Sequence, residues 1–181
     1  MNEIQLLYRN NNKQVYNKTE FNRAVVGAEG YGEIGYDSVE EIIKTFKDYF
    51  NENTVFYDLG SGLGKLVIHI GLRCNLKKSC GIEYSVERYN YSVGISPGNN
   101  IEFINDNFVN VDISDATVIY TDNTLFPTNI DEMIYAKIPK GCLVLSRKMF
   151  KSGKLNDEMI KINVNSPTEY GTNNLYVLIK K

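Results

Sequence analysis

The stretch Val55-Phe56-Tyr57-Asp58-Leu59-Gly60-Ser61-Gly62-Leu63-Gly64-Lys65 decides the fold. A hydrophobic run ends in an acid, three glycines fall on alternate positions, and an apolar helical pattern follows. Glycines between a strand and a helix let a ligand approach the backbone with no side chain in the way. Dinucleotide sites read Gly-x-Gly-x-x-Gly, set a pyrophosphate at the helix N-terminus, and normally carry no acid just before the turn. Here the third glycine comes one residue early, and Asp58 would repel a pyrophosphate. It suits a ligand with positive charge. S-adenosylmethionine, a nucleoside bearing a sulfonium and an ammonium and no phosphate, is such a ligand. A second contact lies one strand further on, where Ser79-Cys80-Gly81-Ile82-Glu83 reads as a short buried strand ending in an acid. An acid about twenty residues after the glycine turn of a βαβ unit can accept from both ribose hydroxyls.

Outward from this core, strand and helix patterns alternate. Strands are predicted near 54–58, 79–83, 101–105, 116–121 and 142–147, and helices near 63–74, 85–93 and 129–137. Before them, Val39, Ile42, Ile43, Phe46 and Phe50 recur at helical spacing from Ser38 to Phe50, with Asp37 or Ser38 as N-cap. Residues 1–30 are polar and asparagine-rich and read as an N-terminal extension to a domain over 31–181. Alternation of this kind argues a parallel sheet with helices on both faces. Met159–Val164 and Leu175–Ile179 look like two successive strands without a helix, hence antiparallel. The whole is an α/β class I methyltransferase layout, Rossmann-like, with an antiparallel C-terminal strand pair.

Bulk properties exclude several classes. A net charge of −2 without a basic tail gives little support for steering toward nucleic acid. No segment approaches the roughly 18–20 apolar residues that span a membrane, and the N-terminal stretch does not read as a signal peptide. Cys74, Cys80 and Cys142 read as free, mostly buried thiols. His69, the one histidine, reads as a helix residue packed or partly exposed rather than catalytic. Neither a zinc spacing nor a Ser/His/Asp set exists, and no metal is expected.

Four motifs together resemble the Dot1-type (disruptor of telomeric silencing) lysine methyltransferases, the histone methylating enzymes without a SET domain. Gly30-Tyr31-Gly32-Glu33-Ile34-Gly35-Tyr36-Asp37 resembles the family's Tyr-Gly-Glu loop and the Phe-Asp start of its next helix. Tyr57-Asp58-Leu59-Gly60-Ser61-Gly62-Leu63-Gly64 is close to Val-Asp-Leu-Gly-Ser-Gly-Val-Gly. Cys80-Gly81-Ile82-Glu83 resembles Tyr-Gly-Val-Glu, and Val118-Ile119-Tyr120-Thr121-Asp122-Asn123-Thr124-Leu125-Phe126 resembles Val-Ile-Phe-Val-Asn-Asn-Phe-Ala-Phe. The resemblance implies that Asp58 and Glu33 hold the methionine end of the donor, with Tyr31 in the same loop. It gives Gly60 and Gly62 to backbone approach, Glu83 to the ribose, Asp106 to the adenine amino group and Phe108 to stacking on the ring. Asn123, Phe126 and Tyr176 would line the methyl-transfer channel.

The chain departs from the family in places. Asp106-Asn107-Phe108 has one residue inserted where the family has Asp-Phe adjacent. Lys65 replaces a glutamine after the third glycine and adds charge near the donor. The family's long N-terminal helical region and basic C-terminal tail have no counterpart, as in a reduced catalytic domain of the kind a compact viral genome encodes. Lys148, Lys151 and Lys154 read as a solvated loop, with a docking patch as the alternative. The resemblance implies transfer to a core-domain lysine of histone H3 or another core histone in nucleosomes. It further implies at most weak DNA contact, no membrane, a monomer, and the nucleus of a eukaryotic host. Rival readings are a class I enzyme acting on another protein or a small molecule, and a non-catalytic donor- or chromatin-binding domain. An amino-methylating DNA enzyme would carry prolines after the fourth strand, and Asp122-Asn123-Thr124-Leu125 has none.

Overall fold

The structure, a computed structural model, describes residues 3–9, 33–150, 160–163 and 174–181. Among the described residues are seven strands: β1 (Val55–Leu59), β2 (Lys78–Ile82), β3 (Ile101–Ile104), β4 (Val118–Thr121), β5 (Leu143–Ser146), β6 (Ile160–Asn163) and β7 (Asn174–Ile179). The helices are α1 (Glu3–Arg9), α2 (Tyr36–Thr45), α3 (Lys65–Arg73), α4 (Val86–Ile95) and α5 (Thr128–Lys137). The strands form one sheet in the order β3-β2-β1-β4-β5-β7-β6. Pairings β2–β3, β1–β2, β1–β4 and β4–β5 are parallel, while β7 runs antiparallel to both β5 and β6. The predicted class I layout is therefore present, with the antiparallel pair at its edge.

The β1 side chains alternate between two cores. Phe56 joins Val39, Ile42, Leu66, Val67 and Ile70 under α2 and α3, with Ile4 and Tyr8 of α1. Val55, Tyr57 and Leu59 join Ile119, Val144 and Leu178 under Ile134 and Ile138 at and just beyond the end of α5. All five β1 residues are buried, as a central strand covered on both faces requires.

Two elements differ from the sequence reading. α1 forms within the polar N-terminal region, because Ile4, Leu7 and Tyr8 share one face at helical spacing and dock on the first core. Tyr8 also donates to the carbonyl of Leu63 at 3.0 Å, tying α1 to the glycine turn. α2 begins at Tyr36 with Gly35 at the N-cap and no side-chain cap, and Asp37 sits in its first turn where the helix dipole favours an acid. It ends at Thr45, and a 3-10 turn over Lys47–Tyr49 carries the chain on, so Phe46 and Phe50 reach the core from separate elements. The Asn10-Asn11-Asn12 stretch lies outside the described residues.

His69 of α3 is fully buried, its Nε2 lies 2.8 Å from Glu40 Oε1, and its Nδ1 has no partner among the described residues. Arg73 donates to both oxygens of Glu40, at 2.8 and 3.2 Å. Burial holds the His69 pKa below its ordinary value, although Glu40 pulls the other way. The unfolded chain takes up this proton near pH ~6.5 and the folded chain only below that. Stability from this site is thus present above ~6.5 and is lost as pH falls toward the folded pKa. His69→Leu should gain on the wild type in melting temperature as pH is lowered from about 7.5 to about 5.5, and a constant difference would contradict the assignment.

Candidate functional site

Parallel sheets bind ligands beyond the C-terminal ends of their strands, where the order reverses. Here that point lies between β1 and β4. The first candidate residues to reach this edge follow the strands in turn: Asp58 and Gly60 at β1, Glu83 after β2, Asp106 after β3 and Asn123 after β4. Tyr176 on β7 pairs with Ser146, the last residue of β5, and so comes to the same edge. Tyr31 lies outside the described residues.

The glycine turn is pinned from several sides. The Gly60 and Ser61 amides donate to the Ile82 carbonyl at 2.9 and 3.0 Å, and Ser92 of α4 donates to the Gly62 carbonyl at 3.2 Å. Gly60 and Gly64 both have positive φ, +90° and +76°, but for different ends. A Cβ on Gly60 would meet nothing nearer than Phe126 Cζ at 4.0 Å, so room is left over the turn. A Cβ on Gly64 would stand 2.6 Å from Phe103 Cζ and 3.0 Å from Ser92 Cβ. Left-handed strain and overpacking together should make Gly64→Ala cost roughly 2–3 kcal/mol. Gly94 of α4 has nothing within 4 Å of its would-be Cβ. Gly94→Ala should therefore stabilise by about 0.5–1 kcal/mol, and thermal melts of the pair test this opposition of sign.

Two buried acids, Asp58 and Glu83, meet beside this turn. Asp58 is 4% exposed, and burial first, then Glu83 and Asp122, pushes its carboxyl well above the usual carboxylate range. No ion pair to it exists among the described residues. Glu83, 5% exposed, accepts from the Gly62 amide through Oε2 and the Ser85 amide through Oε1, both at 2.8 Å. Arg88 NH1 stands 3.9 Å from the same carboxylate. Burial still raises the Glu83 pKa, with these donors pulling it down. Each oxygen keeps lone-pair capacity for a hydroxyl. Asp106 is exposed and accepts from Asn107 N and Asn110 Nδ2. A buried acid with no cation of its own, beside an open glycine turn and a second acid held by backbone amides, fits a cationic adenosyl ligand.

Glu33 does have a cation. Lys65 Nζ lies 3.3 Å from Glu33 Oε2 and 4.1 Å from the Tyr36 ring centroid. The charge that Lys65 brings to the turn is therefore partnered. Burial, then Glu33 and Tyr91, pushes the Tyr36 hydroxyl up to about 12.

An aromatic pair lies by the glycine turn. Phe108 and Phe126 are tilted against each other with centroids 5.4 Å apart, and both rest on the second core, as does Tyr176. Asn123 is 0% exposed. Its Nδ2 donates to Asp131 Oδ1 and the Lys148 carbonyl at 3.0 Å each, and its Oδ1 accepts from Lys148 N at 2.8 Å. The sequence reading sets Asn123 on the channel wall; in the structure its amide is spent inside the protein. Lys148 likewise differs from a solvated loop lysine: its Nζ donates to the Phe126 carbonyl at 2.7 Å and lies 3.4 Å from Asp131 Oδ2. Lys151 and Lys154 lie outside the described residues. Sequence reasoning missed Asp131 and read Lys148 as a solvated loop lysine, since nothing local marks partners that meet only in the fold.

The thiols are free; burial pushes Cys74 up to about 11 and Cys80 and Cys142 up to about 12, far from thiolate reactivity. Among the described residues no helix is long and apolar enough to cross a membrane.

Comparison with known proteins bears on this site. The family described as "Histone methylation protein DOT1" matches residues 12–174. A protein-lysine N-methyltransferase of Saccharolobus islandicus is 32% identical over 121 residues, 62% of this chain and 73% of that protein. Among solved structures, an RNA methyltransferase of Salinibacter ruber in complex with S-adenosyl-L-homocysteine superposes with a TM-score of 0.62 at 17% identity, covering 82% of this chain and 94% of that one. A putative S-adenosyl-L-methionine-dependent methyltransferase of Methanococcus maripaludis gives 0.58 at 15% identity, covering 81% and 84%. At such identities the two structures speak for the fold, while the family match speaks for the lineage. The chain belongs to the DOT1 histone methylation family and is a class I methyltransferase that uses S-adenosylmethionine.

Proposed function

We propose that this enzyme methylates the side-chain nitrogen of a protein lysine, and that the acceptor is a core-domain lysine of histone H3 or another core histone within nucleosomes. The observation that carries the lysine reading is the paired rings of Phe108 and Phe126, with Phe126 beside Gly60. S-adenosylmethionine supplies an electrophilic methyl that passes from sulfur to nitrogen, the S–C bond breaking as the N–C bond forms. A lysine has a reference pKa of about 10.4, so roughly one in a thousand is neutral at physiological pH. An apolar passage favours the neutral, nucleophilic form and excludes water, so no strong base is required. Asp58 and Glu33, with Tyr31, hold the methionine end, Gly60 and Gly62 give backbone approach, and Glu83 takes the ribose. Asp106 and Phe108 take the adenine, and Phe126 and Tyr176 bound the acceptor passage. Asn123 acts from behind that passage. For Glu33 to serve, Lys65 must share or release it.

The family description supports a histone acceptor, and the printed name of the Saccharolobus islandicus relative supports lysine without naming a histone. A monomer working in the nucleus of a eukaryotic host, with weak DNA contact at most, completes the reading. Its test is transfer of labelled methyl to nucleosomes, free histones and naked DNA in parallel. Label on a histone lysine in nucleosomes is expected. Label on other proteins alone would move the acceptor elsewhere and leave the lysine chemistry standing.

A further inference from the structure

We propose that Lys148 is a positioning residue for the acceptor passage, acting through Phe126. The inference rests on the reading of Phe126 as a wall of that passage. The turn after β4 runs from Asn123 to Phe126 and is closed by Phe126 N donating to the Asn123 carbonyl at 3.1 Å. One residue holds both ends of this turn. At the start, the Lys148 backbone accepts from and donates to the Asn123 amide, at 3.0 and 2.8 Å. At the finish, Lys148 Nζ donates to the Phe126 carbonyl at 2.7 Å. Asp131 of α5, 1% exposed, accepts from Asn123 and faces the Lys148 ammonium at 3.4 Å, and Ser146 donates to the Lys148 carbonyl at 3.0 Å.

The network leaves the turn little freedom. The Asn123 side chain is tied to Lys148, just past β5, and to Asp131 of α5, and the Phe126 carbonyl to Lys148 Nζ, whereas Leu125 at the tip of the turn is 61% exposed. What is held is the Phe126 ring, against Phe108 and above Gly60. A charge-assisted bond to a carbonyl is among the stronger of its kind. Small displacements of groups that align the reacting atoms cost large factors in turnover. The Lys148 side chain is 24% exposed and its ammonium bonds the Phe126 carbonyl, so its influence passes through the Phe126 backbone.

The test uses the full chain labelled with ¹³C-phenylalanine, with Phe126→Leu and Phe108→Leu to assign signals. Lys148→Met should move the ring signals of Phe126 and Phe108 and leave that of Phe56, buried in the opposite core, in place. Asp131→Asn removes the ion pair but keeps the carbonyl bond, and should leave Phe126 where it is. Unmoved rings in Lys148→Met, or equal movement in Asp131→Asn, would overturn the proposal. In the methyl-transfer assay Lys148→Met should lower kcat roughly 10- to 100-fold. Its affinity for S-adenosylhomocysteine should fall far less than kcat, by a few fold at most, because the acids and glycines of the donor site are untouched and only the Phe108 ring beside the adenine shifts. The double variant Phe126→Leu/Lys148→Met should be no slower than Phe126→Leu alone; multiplying losses would place the action of Lys148 elsewhere. If Phe126→Leu itself leaves turnover unchanged, the acceptor-passage reading fails, and the ring signals still decide whether Lys148 positions Phe126.

Discussion

Asp58→Asn should weaken donor binding at least about 30-fold and at the same time make the protein more stable. Asp58 is buried, with no ion pair among the described residues, and Glu83 and Asp122 add repulsion. Its folded pKa lies above the unfolded value of about 3.9, so the stability it contributes is full below that value and is lost as pH rises through the folded pKa. At neutral pH the carboxylate is therefore a cost to folding. An amide of the same shape removes that cost, and roughly 1–2 kcal/mol should appear as a melting temperature about 2–8 °C higher. The donor loses its countercharge. Removing one partner of a buried charge pair costs roughly 2 kcal/mol or more, at least about 30-fold in Kd. Because a cationic ligand favours the ionised acid, wild-type affinity should also rise with pH through the Asp58 titration, and that rise should vanish in the variant. Titration calorimetry and thermal melts of both proteins check the three statements. Lost binding with lost stability would mean that Asp58 holds the fold together rather than the ligand.

Asn123→Ala should cost stability first and turnover second. The residue satisfies Asp131 Oδ1, the Lys148 amide and part of the Lys148 carbonyl in a fully buried place. Truncation orphans the amide and the carboxylate oxygen, each costing roughly 1–3 kcal/mol, so a loss of roughly 2–5 kcal/mol is expected. For a chain of this size that lowers the melting temperature by roughly 5–15 °C. Donor affinity, measured where the variant is still folded, should change by no more than a few fold. Turnover should fall as the wall loosens. A collapse of turnover with an unchanged melting temperature would put Asn123 in direct contact with the acceptor, as the sequence resemblance implies.

The donor half of the site was legible in the chain because local rules write it. A strand must end, glycines must turn, and an acid before the turn selects the charge of the ligand; Asp58, Gly60 and Glu83 follow from those rules. The parallel sheet likewise follows from alternation, and the antiparallel edge from two strands with no helix between them. What stayed hidden depends on contacts between distant segments. Lys65 is visibly a cation at the turn, yet its partner Glu33 stands 32 residues earlier. Lys148 looks like one of three surface lysines until the fold brings it to Asn123, 25 residues back. The helix α1 escaped for another reason: seven residues with four apolar positions carry too little period to separate from a polar tail.

X-ray diffraction from crystals of the protein grown with S-adenosylhomocysteine tests the site most directly. The ligand is expected over Gly60, with both ribose hydroxyls on Glu83, the methionine end beside Asp58, and the adenine against Phe108. Phe126 is expected in place, with Lys148 still bonded to its carbonyl. A ligand bound at another edge of the sheet, or one whose ribose lies away from Glu83, would contradict this site.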